Sequence, residues 1–200
     1  MARDRRRFER PLGERRYRKM FVIAVEGVRT EPQYFAVFNG APSIVRVHCI
    51  PGSSASAPTR VLKRMREHLR KEGLLPTDEA WLVVDKDQWT EPQLAELFAW
   101  SQEADNHGFA LSNPQFEFWL LLHFDDGSGA SSPTQCVARL RQHLPDYDKG
   151  IAAAAFTRER IADAVARARH RDTPPCADWP RTPGVTTVYR LVGRILESVR

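Results

Sequence analysis

The sequence is poor in cysteine and has no long apolar segment. Its three cysteines, Cys49, Cys136 and Cys176, lie far apart and form neither a CxxC pair nor the framework of a disulfide-rich protein. A structural zinc site is therefore not expected. No apolar run approaches the ~18–20 residues that cross a bilayer, and no apolar segment of a secretory signal follows the arginine-rich start. We expect a cytoplasmic protein without a membrane segment.

The sequence also lacks a Walker A loop, which argues against an ATPase activity of the chain itself. What it does contain is 42% hydrophobic and 28% charged residues over 200 positions. This balance is typical of a soluble globular protein, and the length suits one domain with a sizeable core.

The positive charge is concentrated at the N-terminus. Residues 1–19 contain nine Arg or Lys and three acids, whereas the rest of the chain has 21 basic and 22 acidic residues. We interpret residues 1–19 as a basic arm that would follow a phosphate backbone, with a solvated tail as the alternative. The arm residues expected to contact nucleic acid are Arg5, Arg6, Arg7, Arg15, Arg16, Arg18 and Lys19.

Short apolar runs alternate with amphipathic segments in the first 125 residues. Strands are predicted at 21–25, 44–50, 81–84 and 109–111, and helices at 31–39, 57–72, 91–105 and 116–124. This alternation predicts an α/β fold with a mostly parallel four-stranded sheet flanked by helices. Further helices are predicted at 134–143, 155–171 and 186–199, so residues 126–200 would form a helical extension packed on the core of residues 20–125 as part of the same domain.

Three acidic residues directly follow two of the predicted strands. Glu26 comes after the first strand, and Asp85 and Asp87 come after the third. Because ligands of open parallel sheets bind beyond the carboxyl ends of the strands, we expect these side chains to meet at one edge. Carboxylate oxygens suit Mg²⁺ or Mn²⁺, which would neutralise a phosphoryl group and activate a water. Glu26 would bind the metal or act as acid or base, whereas a solvated loop acid or a helix cap is the ordinary alternative for each residue alone.

Two further charged residues are candidates for the same site. Glu117 interrupts an apolar run, and a buried carboxylate must be paired, exposed or functional. It would serve as a fourth acid near the metal or as an anchor for Arg or Lys. Lys149 would contact a phosphate or act in catalysis, with an ordinary surface lysine as the alternative.

Four residues are expected to contact the nucleic acid around this edge. Thr30 either caps the first helix or binds phosphate, and Lys86 points away from the aspartates or toward a phosphate. Asn113 is expected to cap the helix that follows it at an edge where substrate would pass. His123 is expected to border the site, with a structural role as the alternative.

Several sequence motifs resemble those of RloB-like proteins. Residues 21–35, FVIAVEGVRTEPQYF, are similar to the opening motif of that family, in which an apolar strand runs into EG-x-x-TE-x-x-YF. Residues 81–87, WLVVDKD, resemble its second motif, and residues 112–124, SNPQFEFWLLLHF, its third. Residues 147–149 and 186–192 resemble the C-terminal features of the family.

The resemblance implies a Toprim-like, Rossmann-like fold, shared with topoisomerases, DnaG-type primases and OLD-type nucleases. Those enzymes use a glutamate after strand one and a DxD after strand three with Mg²⁺, which correspond here to Glu26, Asp85 and Asp87. The family is also associated with phage-defence and restriction loci, often beside an ATPase partner.

Taken together, these features predict a Mg²⁺-dependent nuclease that cleaves RNA, for example tRNA, or DNA in bacterial antiviral defence. The residues expected to carry catalysis are Glu26, Asp85, Asp87, Glu117 and Lys149. The expected partners are nucleic acid, an ATPase from the same locus and a second copy of the chain. A non-catalytic binding module of a defence complex and a nucleotidyl transferase are the alternatives.

Overall fold

Five strands and seven α-helices make up the described part of the chain, in a computed structural model that describes residues 18–40, 44–52, 58–86 and 89–199. The strands are β1 Lys19–Val25, β2 Val45–Ile50, β3 Glu79–Asp85, β4 His107–Asn113 and β5 Val185–Thr186. The helices are α1 Thr30–Ala36, α2 Pro58–Glu72, α3 Glu91–Ser101, α4 Phe116–Leu121, α5 Pro133–His143, α6 Arg158–Arg171 and α7 Val188–Ser198. Short 3₁₀ helices follow α1 at Val37–Asn39 and precede α6 at Ala153–Ala155.

The strands form one sheet in the order β2-β1-β3-β4-β5. The first four strands are parallel, as predicted. The prediction of four strands was wrong, because β5 pairs antiparallel with β4 through Thr186 opposite Ser112 and Val185 opposite Asn113. A strand of two residues is too short to show the alternation of period two that identifies a strand in a sequence.

Each face of the sheet is covered by a separate apolar layer. In β1, Phe21, Ile23 and Val25 face a core built with α1 and α4–α7, whereas Val22 and Ala24 face a second core built with α2 and α3. Residues 21–25 are fully buried because neighbouring side chains of a strand point to opposite faces and both faces are covered. The C-terminal helices therefore share one core with the strands that precede them.

The helix boundaries differ from the predictions mainly at their C-terminal ends. Helix α2 ends as predicted at Gly73, which has a φ of 75° and whose N–H donates to the Leu69 carbonyl at 2.9 Å. Helix α3 ends at Ser101 rather than at residue 105, and α4 ends at Leu121 rather than at Phe124. Of the helices in the described ranges, none has the length and apolar character needed to cross a membrane.

The connections of β1 and β3 diverge at the centre of the sheet. After β1 the chain passes through α1, on one face, to β2, whereas after β3 it passes through α3, on the other face, to β4. The carboxyl ends of β1 and β3 therefore border a crevice between the two connections. Such a switch point is the place where open α/β sheets bind ligands.

Candidate active site

A cavity of about 350 Å³ opens at this switch point. It is lined by residues 26–31 and by Asp85, Phe116, Glu117 and Lys149. The structure therefore brings together five of the residues predicted for the site: Glu26, Thr30, Asp85, Glu117 and Lys149. Two further charged residues, Arg29 and Glu31, line the same cavity and were not predicted to act there.

The Glu26 carboxylate joins the ends of β1 and β3. Its Oε2 lies 3.4 Å from the backbone nitrogen of Asp85 and accepts a hydrogen bond from Trp89 Nε1 at 3.1 Å. The two strand ends thus converge as the sequence pattern predicted. Asp87, the second aspartate of the predicted pair, lies outside the described residues.

The backbone around Glu26 is fixed by close contacts with Gly52 and Arg64. The N–H of Gly52 donates to the Gly27 carbonyl at 2.8 Å, and a Cβ at position 52 would lie only 1.7 Å from the Glu26 carbonyl oxygen. Glycine is therefore required at position 52. Arg64 of α2 donates from Nη2 to the Val25 carbonyl at 2.7 Å, which fixes the last residue of β1.

Glu31 is a buried acid that the sequence analysis did not single out. Its side chain is 6% exposed, and its Oε1 accepts a hydrogen bond from the Gly27 N–H at 2.9 Å. A Cβ on Gly27 would lie 2.1 Å from Glu31 Oε2, so this close approach needs glycine. The only signal in the sequence was the TE pair within the opening motif.

The carboxylates crowd one another. Burial raises the pKa of Asp85 well above its usual range, and the nearby charges of Glu31, Glu26 and Glu117 raise it further, whereas Lys149 opposes them. Burial likewise raises the pKa of Glu31. The floor of the cavity is therefore short of positive charge when its acids are ionised.

Glu117 anchors two side chains from the C-terminal part of the chain. It is 2% exposed, and its Oε1 accepts hydrogen bonds from the Tyr147 hydroxyl at 2.7 Å and from the Lys149 ammonium. Burial lowers the pKa of Lys149, but the hydrogen bond and the charge of Glu117 outweigh it and raise the pKa overall. Of the two roles predicted for Glu117, the structure favours the anchor of a cation.

The backbone at Lys149 is strained. Its φ is 59°, and it is the only residue besides glycine with a positive φ in the described part of the chain. The Thr30 hydroxyl donates to the Lys149 carbonyl at 2.8 Å and holds this conformation. Strain of this kind often lies at functional sites, where surrounding contacts maintain it. Thr30 is the first residue of α1, so the prediction that it caps the helix was wrong, and the cap position belongs to Arg29.

The buried anchor leads to a prediction about stability. We expect Glu117→Ala to lower the free energy of unfolding by about 2 kcal/mol, because Tyr147 loses its acceptor inside the protein. Tyr147→Phe should cost about 1 kcal/mol, and the double variant less than the sum, because both changes remove the same bond. Urea denaturation measures all three, with exposed Glu197→Ala as a control that should stay within about 0.5 kcal/mol of the wild type. Strict additivity would contradict the anchor.

The model of the RloB-like protein family matches residues 21–195. The chain belongs to this family. The matched range includes every residue that lines the cavity of this RloB-like protein. A search of curated proteins found no match, and a search of solved structures found none either.

Two predicted site residues of the RloB-like protein have structural contacts instead. The Asn113 side-chain amide donates to the carbonyls of Pro180 at 3.2 Å and Arg181 at 2.9 Å, which ties the end of β4 to the segment between α6 and β5. The prediction that Asn113 caps the next helix was wrong, because Gln115 occupies that position. Lys86 donates from Nζ to the Trp89 carbonyl at 2.8 Å and pairs with Glu91 at 3.3 Å, and it does not line the cavity.

His123 lies in the apolar core and not at the border of the cavity. It is 2% exposed, and its Nδ1 lies 3.0 Å from the Trp119 carbonyl. Because a carbonyl only accepts, Nδ1 carries the proton, and Nε2 accepts from the Tyr34 hydroxyl at 3.1 Å. This position supports the structural role that was its alternative, since a buried ring cannot reach a nucleic acid.

The two described residues of the basic arm lie at the amino end of β1, away from the cavity. Lys19 is already the first residue of β1 and pairs with buried Glu79 at 2.6 Å, so the arm ends earlier than predicted. The Arg18 N–H donates to the Ile44 carbonyl at 2.8 Å. The remaining predicted arm residues, Arg5, Arg6, Arg7, Arg15 and Arg16, lie outside the described residues.

The donor set of the cavity fits a hard divalent cation. No group of three His, Cys, Asp or Glu side chains within the described ranges is arranged to hold a metal ion by itself. Mg²⁺ does not need such a cage, because it binds through one or two carboxylates and keeps water and substrate phosphate as its other ligands. The carboxylates of Glu26 and Asp85 supply oxygen donors of that kind, and a cation there would relieve the crowding that raises the pKa of Asp85.

Proposed function

We propose that this RloB-like protein is a Mg²⁺-dependent nuclease with a Toprim-like catalytic core, which hydrolyses RNA, for example tRNA, or DNA in bacterial antiviral defence. One observation carries the proposal. Acids from the ends of β1 and β3 meet at the switch point of the sheet, in a cavity that a lysine also lines.

The residues divide the work of hydrolysis among them. Glu26 and Asp85, together with Asp87, would hold the metal, which when bound neutralises phosphate charge and lowers the pKa of a water. Glu26 would take a proton from the attacking water, and the hydrogen bond from Trp89 holds its carboxylate in position. Lys149 would face the phosphate or the leaving oxygen, with Glu117 fixing the position of its ammonium.

The charges of the cavity support a role for the metal in substrate binding. Four carboxylates and two cations, Arg29 and Lys149, line it. A phosphodiester would be repelled by this excess of negative charge unless a divalent ion offsets it. Binding and cleavage should therefore both depend on the metal.

The test uses the purified chain with end-labelled RNA and DNA in Mg²⁺, in Mn²⁺ and in EDTA. We expect cleavage in either metal, loss of cleavage in EDTA, and recovery when Mg²⁺ is added back in excess. Equal cleavage in EDTA would contradict a metal-dependent nuclease. Binding without cleavage in any metal would instead indicate a binding module, and incorporation of labelled nucleotides would indicate a transferase.

The proposed partners are a second copy of the chain and an ATPase from the same locus. Light scattering of the purified chain and co-purification with the tagged ATPase test the two interactions. Cleavage should be measured again in the presence of the ATPase, because activity that appears only then would assign the partner a regulatory role.

A further inference from the structure

The acids of the cavity are recessed below the surface. Glu31 is 6% exposed and Glu117 is 2% exposed, while Glu26 and Asp85 are half-buried at the ends of their strands. The buried ring of Phe116 adds an apolar wall. A phosphate must therefore enter the cavity to reach the carboxylates.

The mouth of the cavity is cationic and partly apolar. Arg29 is exposed, and its Nη2 would lie 3.1 Å from a Cβ on Gly150, the residue after Lys149. The side chain of Lys149 is 60% exposed, and Lys149 and Arg29, which come from distant parts of the chain, line the same cavity. Between the described residues, Arg29 forms no ion pair. Val28, also 60% exposed, places an apolar side chain beside them.

We propose that this site binds single-stranded nucleic acid or an unpaired loop, with Arg29 binding the phosphate at the mouth of the cavity. This inference rests on the proposed function, because it names the substrate class of the same site. Arg29 supplies five N–H donors in a planar fork that matches phosphate oxygens, and Lys149 adds a point charge. Val28 contacts the sugar or base of the nucleotide that enters.

The size of the cavity favours an unpaired nucleotide over a stacked base pair. Its volume of about 350 Å³ is at the lower end of the range of small-molecule sites. A single nucleotide is small enough to enter this space. A B-form duplex, whose major groove alone is about 12 Å wide, is too large to enter it as a whole. A paired nucleotide would have to leave its stack to enter, at a cost that an unpaired nucleotide does not bear.

The first experiment compares one sequence in three forms: as a single strand, as a blunt duplex and as the loop of a hairpin, each in RNA and in DNA. Binding to the wild-type chain is measured by fluorescence anisotropy in Ca²⁺ and in EDTA, and cleavage is measured in Mg²⁺. We expect the single strand and the loop to bind at least about tenfold more tightly than the duplex. We also expect cleavage to be confined to unpaired nucleotides. Equal affinity for duplex and single strand would overturn the inference.

The second experiment tests Arg29 directly. Arg29→Gln should weaken binding of the single strand about tenfold and reduce the slope of log K against log salt by about 0.7. Arg29→Lys should restore most of the slope. The control is Arg70→Gln, an exposed arginine in the last turn of α2 that does not line the cavity. Unchanged affinity and slope in Arg29→Gln would contradict phosphate binding at this residue.

The two proposals can fail separately. A preference for single strands that depends on Arg29, without cleavage in any metal, would overturn the nuclease and leave the substrate class standing. Metal-dependent cleavage of duplex and single strand at equal rates would support the nuclease and overturn the substrate class. Thermal melting of each variant confirms that the measured changes do not come from unfolding.

Discussion

Replacing Asp85 with asparagine should lower the rate of cleavage at least about 1000-fold, because the change removes a carboxylate that would hold the catalytic metal. The same change should stabilise the fold. Burial and the charges of Glu31, Glu26 and Glu117 raise the pKa of Asp85, so its ionised form is disfavoured in the folded state. The neutral amide removes that repulsion.

The sign of the stability effect follows from the raised pKa. The folded state holds the proton of Asp85 more tightly than the unfolded state, so ionisation destabilises the fold as pH rises above the ordinary pKa of an aspartate. The Asp85→Asn variant should therefore melt at a higher temperature at pH 7, by about 2–4 °C for each kcal/mol gained in a chain of this length. Below the ordinary pKa the gain should disappear.

Calorimetry at pH 7 and pH 3, together with the cleavage assay, measures both effects. Glu96→Gln is the matched control, since Glu96 is exposed on α3 and away from the cavity. It should change neither the rate nor the melting temperature. A variant of Asp85 that melts lower than the wild type and cleaves normally would contradict both the crowding and the role in catalysis.

His123 should make the protein sensitive to acid. Burial, with smaller contributions from Arg167 and Arg160, lowers the pKa of His123 to about 3, against 6.5 for an ordinary histidine. Between these values the unfolded chain binds a proton that the folded chain refuses. The contribution of His123 to the free energy of unfolding should therefore have its full value above about pH 6.5. It should fall by about 1.4 kcal/mol per pH unit as the pH is lowered toward 3.

The variant His123→Phe isolates this contribution. It should be less stable than the wild type at pH 8 by about 1–2 kcal/mol, because the Tyr34 hydroxyl loses its acceptor. The difference between the two proteins should shrink as the pH falls, since phenylalanine does not titrate. Urea denaturation from pH 8 to pH 4.5 measures it, with exposed His170→Gln at the end of α6 as the control. Parallel pH curves for wild type and His123→Phe would contradict a histidine buried without charge.

The strands were predictable from the sequence because burial on both faces leaves a simple signal. The side chains of the continuous apolar run at residues 21–25 are all buried only where helices cover both faces of a sheet. Strand β5 has no such signal, because it is defined by its pairing with β4 and not by its own pattern. The role of Asn113 was missed for the same reason, since its partners lie 67 and 68 residues away in the sequence.

The site was predictable where position along a strand determines it. Glu26 and Asp85 each follow an apolar strand, and parallel strands bring such ends to one edge. Glu31 gave no comparable signal, because an acid in the first turn of a helix is ordinary. The contact of Tyr147 and Lys149 with Glu117 depends on how the C-terminal helices pack, which no local pattern encodes.

The place where β1 begins limits what the basic arm can do. The strand is seven residues long, so at about 3.3 Å per residue the arm joins the sheet roughly 20 Å from Glu26, at the amino end of β1. An extended tether regains that distance in about six residues. Arg5, Arg6 and Arg7 have this length of chain before Lys19 and would therefore reach a nucleotide in the cavity. Deleting residues between these arginines and β1, with the charge of the arm kept, should then lower the affinity for nucleic acid as much as neutralising the three arginines.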